Sequence, residues 1–168
     1  GISVVGKPLD LEFPCPLDVH CTYTRTQILA ALGFVEDYSI SEGVKYLRRK
    51  DVDIFFTTLN KANKYYSPTT AYHDYSINEW LFHWQSQSTT SEASPTGQRY
   101  ISRKKGCGYS FLFVREQKSD RYGAQPFVFL GPVYYVKHEG SRPMNITWRL
   151  EQPIPAKFLK KTNKLVVG

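Results

Sequence analysis

Five stretches rich in β-branched and aromatic residues set the limits on how this chain folds: 52–59, 80–87, 109–116, 127–138 and 145–150, each bounded by Gly, Pro or Ser/Thr clusters. Such residues suit a pleated, half-buried surface, and runs of this length between turn signals predict strands. Helices are few. Thr24-Arg-Thr-Gln27 is a capping-box pattern, in which the Thr24 hydroxyl satisfies an early amide while Gln27 reaches back; Ile28, Leu29 and Leu32 then share one apolar face, and Gly33 supplies a left-handed stop. These signals predict a helix of about ten residues. Residues 155–164 read as a short basic terminal helix, 60–68 as a loop, and Gly140-Ser-Arg-Pro143 as a hairpin-like connection. Many strands with few helices predict an α+β, β-rich fold: a curved sheet or small barrel with a few peripheral helices. There is no internal repeat and no Gly-rich phosphate loop, so ATP is not an expected ligand.

At 168 residues and 41% hydrophobic content the chain is expected to form one domain with a core of its own. Residues 1–16, with Pro8, Pro14 and Pro16 and no period, are expected to be an extended lead-in packed on the surface of a body spanning 17–168. The longest apolar runs, such as 111–114 and 127–130, fall far short of the roughly 20 residues of a membrane-spanning helix. A start at Gly1 without a secretory pattern reads as a piece of a longer protein. Cys15, Cys21 and Cys107 make an odd count without scaffold spacing, which predicts free thiols in a reducing cytoplasm. Joining them with His20 as a zinc site finds no Cys-x-x-Cys pair, so no metal or other cofactor is expected.

The formal net charge of +7 favours polyanions through nonspecific attraction and counterion release. Twelve Tyr and three Trp exceed what a core of this size needs, and stacking on bases is one use for the surplus. Two neighbouring stretches are the most unusual: 67–76 (SPTTAYHDYS) and 81–87 (LFHWQSQ). In an extended strand Phe82, Trp84 and Ser86 face one side while His83, Gln85 and Gln87 face the other. That second side either reads base edges and phosphates or is merely the solvated side of a sheet. Asp74, flanked by Tyr72 and Tyr75, either caps the following turn or accepts from an exocyclic amine while the rings stack, as a flipped cytosine requires. Basic clusters at 48–50, 103–105 and 157–164 are solubilising faces or phosphate contacts. The Ser/Thr-rich stretch 88–96 reads as a loop that orders on a nucleic-acid backbone, with Gly97-Gln-Arg-Tyr100 delivering an arginine and a ring to the same surface.

Catalysis finds little support. Glu116-Gln-Lys118 resembles half of a metal-dependent nuclease site, with Asp51, Asp53 or Asp74 as the remaining carboxylate, but Glu-x-Lys arises by chance in charged chains. The serines follow no strained-elbow pattern, and no base is placed for Cys107. The expectation is a binding domain without a catalytic centre.

The stretches 23–25, 55–61, 66–70, 82–87, 96–100, 112–116 and 138–144 together resemble a C-terminal domain of unknown function, with His83-Trp-Gln-Ser-Gln87 and His138-Glu-Gly-Ser-Arg-Pro-Met144 the most specific strings. In that family the domain follows a phospholipase-D-type nuclease and a superfamily-two helicase in SauUSI-like type IV restriction enzymes, which attack DNA bearing modified cytosine. The resemblance covers residues 17–168 and implies a target-recognition domain for double-stranded DNA with 5-methyl- or 5-hydroxymethylcytosine, with upstream nuclease and helicase domains as partners in a bacterial defence protein. By analogy with other modification readers, it implies an SRA/PUA-like barrel that flips the modified base into a pocket. Carried onto this sequence, Tyr72, Asp74, Tyr75 and Trp84 form the base pocket; Ser67, Thr69, Thr70, His83, Gln85 and Gln87 hold the strand around the extruded nucleotide; Arg99, Lys104, Lys105 and Arg142 meet phosphates. A protein-interaction module coupling helicase to nuclease is the alternative, and its binding would be indifferent to cytosine modification. A cryptic nuclease would cleave on its own with metal, and an RNA reader would prefer single-stranded RNA.

Overall fold

The computed structural model describes residues 5–9, 11–34, 43–59, 73–103 and 108–162. In chain order the elements are β1 (Thr22–Tyr23), α1 (Arg25–Ala31), β2 (Val44–Leu47), β3 (Val52–Thr58), β4 (Tyr75–Ser76), β5 (Leu81–Gln85), α2 (Pro95–Ile101), β6 (Tyr109–Arg115), β7 (Ser119–Asp120), β8 (Gly123–Ala124), β9 (Phe127–Glu139), β10 (Asn145–Leu150) and α3 (Ala156–Thr162). The fold is the β-rich α+β class that the strand pattern predicts, built on one open mixed sheet in the order β2-β3-β6-β9-β10-β5-β4, with β1 added to β9. All pairs are antiparallel except β3 with β6, which run parallel. β7 and β8 form a separate small hairpin.

Both faces of the sheet are buried, which explains why β3 and β6 read as nearly continuous apolar runs rather than alternating ones. On one face Val52, Ile54 and Phe56 of β3 join Phe111, Phe113, Phe127 and Phe129 beneath α1, whose Ile28 and Leu29 point inward. Leu9, Leu11 and Phe13 pack against this layer from the N-terminal stretch. The opposite face collects Phe55, Phe82, Trp84, Tyr100, Ile146 and Trp148 under α2 and α3. Each fully buried ring contributes about 1.5–3 kcal/mol through removal of apolar surface from water.

The local signals for α1 act as drawn. Thr24 accepts from the Gln27 amide (3.2 Å), the Gln27 side chain accepts from the Thr24 amide (2.9 Å), and Gly33 adopts a φ of 93° beyond the last turn. One helix, α2, is not expected from the sequence; it begins within the last two residues of the 88–96 loop. Ser94 caps α2 by accepting from the Gly97 amide, with Pro95 in the first helical turn. Gly97 conceals this helix from propensity reasoning, yet packing requires it: a Cβ there would run into the Ser91 carbonyl and the Met144 sulfur.

At the start of β3 the same layer buries charge. Asp53, fully buried, receives two bonds from Arg99 (Nε and Nη2, both 2.8 Å) and one from Arg103 (2.9 Å); Arg103 also meets Asp51 (3.0 Å). Arg99 lies 3.7 Å above the Tyr46 ring, whose hydroxyl donates to Asp51 (2.9 Å). Asp53 thus acts as the counter-ion that fastens α2 to the sheet. Among the described residues no helix is long and apolar enough to cross a membrane, and no three His, Cys, Asp or Glu side chains converge as metal ligands.

Candidate nucleic-acid interface

The segment 73–87 builds the β4–β5 edge of the sheet. Strand alternation buries Phe82 and Trp84 and turns His83 and Gln85 to the opposite face. β4 is only two residues long, pairing Tyr75 with His83 and Ser76 with Phe82, so the amide of Gln85 extends beyond it. Asp74 satisfies that amide through Oδ1 at 2.8 Å. Its other carboxylate oxygen meets no donor among the described residues. Burial pushes the Asp74 carboxyl up to about 7, against the lowering effect of the Gln85 amide. This carboxylate changes charge near neutrality.

Beside it the Tyr75 ring stacks on the His83 imidazole, with centroids 4.8 Å apart and planes inclined by 13°. His83 Nδ1 donates to the His73 carbonyl (2.7 Å), which fixes the ring's orientation and, in the neutral ring, leaves Nε2 as the acceptor nitrogen. Gln85 donates through Nε2 to Asn145 Oδ1 across β10 (3.2 Å). Past Gln85 the chain turns at Gln87, whose carbonyl accepts from Thr90; the Thr90 carbonyl in turn accepts from the Arg142 amide (3.0 Å). The exposed Arg142 therefore stands at the end of the sheet where β5 stops and β10 begins. Asp74, Tyr75, His83 and Gln85 are gathered at one edge, with Gln87 and Arg142 at its end. Asn145 joins the group although sequence reasoning passed over it; its place opposite Gln85 follows only from register.

Two expected site residues lie elsewhere. Trp84 is a core residue: only 4% exposed, its ring packs 4.6 Å from Phe55 and 5.5 Å from Tyr100, so it cannot line an outer base pocket. Its place follows from strand parity, which makes it a neighbour of Phe82 and puts His83 where a ring can meet a ligand. Arg99 is likewise corrected from phosphate contact to structural ion pair, because the Nε–Nη2 edge of its guanidinium is held bidentately by the buried Asp53 and its plane lies on Tyr46. Tyr72, Ser67, Thr69, Thr70, Lys104 and Lys105, with Cys107 and the 60–68 loop, lie outside the described residues. Of the proposed zinc ligands, Cys15 and Cys21 are free thiols.

Comparison with known proteins adds a family and a fold. Residues 17–161 match a family described as a domain of unknown function, DUF3427. No curated protein matches the chain. Among solved structures, the chain resembles the SRA domain of SUVH5 in complex with fully methylated CG DNA, with a TM-score of 0.53, 11% identity, and coverage of 91% of this chain and 99% of that one. It also resembles the same domain in complex with methylated CHH DNA, with a TM-score of 0.52, 14% identity and the same coverage. At such identities the likeness is one of fold.

Proposed function

The chain belongs to the DUF3427 family, and from that footing we propose that it is a recognition domain for double-stranded DNA carrying modified cytosine. The observation that carries this reading is the β4–β5 edge: a carboxylate with an uncommitted oxygen beside two parallel rings, on a sheet resembling domains solved with methylated DNA. In this reading Asp74 accepts from the exocyclic amine of cytosine, and Tyr75 and His83 supply the stacking surface. The two rings already touch each other, so an entering base either parts them or replaces one as partner. Taking a base out of the duplex costs a few kcal/mol, and stacking at about 1–3 kcal/mol per base plus one charge-assisted hydrogen bond offsets it.

Gln85, Gln87 and Arg142 at the end of the edge meet the flanking nucleotides and backbone. The domain serves as the non-catalytic targeting part of a type IV restriction protein in the cytoplasm, with nuclease and helicase on the same chain supplying cleavage and movement. The experiment is binding of the protein to matched duplexes with plain, 5-methyl- and 5-hydroxymethylcytosine at two salt concentrations, for the wild type and Asp74→Ala. Tighter binding to a modified duplex at both salts, erased by the substitution, is the expected result. Equal, steeply salt-dependent binding to all three duplexes would refute the reading.

A further inference from the structure

At the far end of β9 from His83, where β6 ends and the β7–β8 hairpin projects, lies a groove of about 670 Å³ walled by Arg25, Thr58, Arg115, Lys118, Ser119 and Gly123. We propose that this groove is a nucleic-acid contact separate from the Asp74 edge, seating a phosphodiester on Arg115 and Lys118 while Tyr122 stacks on an adjoining base.

Arg115 carries the argument. Its guanidinium lies 4.3 Å above the Phe127 ring and donates to two neutral acceptors, Thr58 Oγ1 (2.9 Å) and the Gln125 carbonyl (3.1 Å). Among the described residues no carboxylate forms an ion pair with Arg115 or Lys118. The acid in the wall, Asp120, accepts from the Tyr122 amide and so holds the hairpin turn. Arg25 shares the same aromatic floor, 4.3 Å from Phe56 and 5.4 Å from Phe127, and the Arg115 charge adds to burial in lowering its pKa. Arg115 and Lys118 thus give the groove two cations that no carboxylate pairs with among the described residues, and an anion seated there would complete them.

Nucleic acid is the occupant that the rim favours. Tyr122, at the tip of the hairpin, is 82% exposed and packs into neither core layer, while Arg121 lies 5.0 Å from its ring. A solvent-facing ring beside a cationic groove suits a base or sugar next to a bound phosphate. Arg115 also faces the neighbouring cavity, where Lys161 of α3 is paired with Glu116 (3.8 Å) and Lys157 adds a further cation to the wall.

The test uses an unmodified duplex and an unmodified single strand, so that it does not depend on cytosine reading. Lys118→Glu and Tyr122→Ala alter exposed side chains and leave the fold intact. Lys118→Glu is expected to weaken binding about tenfold and to flatten the dependence of log affinity on log salt by about one contact. Tyr122→Ala is expected to weaken binding about fivefold with the salt dependence unchanged. The preference for modified over plain duplex stays the same in both variants, which separates this inference from the reading of Asp74. Unchanged affinity and salt dependence in Lys118→Glu would overturn the proposal. So would competition by inorganic phosphate together with an inert Tyr122→Ala, since that marks a pocket for free anions.

Discussion

Replacing Asp74 by Asn removes a charge whose folded-state cost can be worked out. The carboxyl titrates at about 7 instead of 3.8, so the folded protein holds this proton more tightly than the unfolded chain does. A raised carboxyl pKa contributes stability that is full below about 3.8, falls as pH rises, and is gone once pH passes about 7. At 1.36 kcal/mol per pH unit the span between those values bounds the loss at ~4 kcal/mol. Asp74 keeps part of its surface open to water, and relaxation around it reduces the figure to about 2 kcal/mol. For 168 residues at about 2.1 cal/mol/K each, the unfolding entropy is near 350 cal/mol/K, so 2 kcal/mol moves Tm by about 6 °C.

Asparagine mimics the protonated acid and can still accept from the Gln85 amide. Thermal unfolding of both proteins at pH 5, 6, 7 and 8 should therefore show a variant that gains on the wild type step by step, ending about 6 °C ahead at pH 8. Binding runs the other way. Preference of the wild type for modified duplex should strengthen from pH 6 to 8 as the carboxylate ionises, and should be absent in the variant. A gap in Tm that stays constant across this pH range would refute the burial argument.

Removing the buried counter-ion is expected to do more damage. Asp53→Ala takes the buried carboxylate away from Arg103, only 2% exposed, and from Arg99, and should cost about 3–5 kcal/mol, a fall in Tm of about 9–14 °C by calorimetry. Thr24→Ala removes one half of the α1 capping box and should lower stability by about 1 kcal/mol in urea unfolding, with no change in DNA preference.

What could be read from the residues alone was whatever is encoded locally. The capping box placed α1, and β-branched and aromatic runs placed β3, β5, β6, β9 and β10 to within a few residues. β5 stops two residues early because the Ser86 hydroxyl accepts from the Met144 amide and takes the chain out of the ladder. β2 and the two-residue strands β4, β7 and β8 carry no periodicity to detect. The parallel alignment of β3 with β6 depends on partners distant in sequence, which no local pattern reports. At the site, the alternation along β5 already assigned Trp84 to the apolar side, and importing it into a base pocket set that physics aside. Arg99 was misplaced because its counter-ion, Asp53, lies on another strand, and only the docking of α2 unites them.

The β3–β6 pair has a consequence for how the molecule comes into being. β9 and β10 are joined by a short hairpin and can find each other quickly, whereas Thr58 meets Arg115 across 57 positions, a closure that is slow and entropically costly. On the ribosome, β3 emerges well before β6, its partner at the middle of the sheet, and β6 gains its second neighbour only when β9 follows. Contact separation therefore favours the C-terminal hairpin forming before the β3–β6 closure, against the direction of synthesis, and a chain cut before β9 leaves one edge of β6 unpaired.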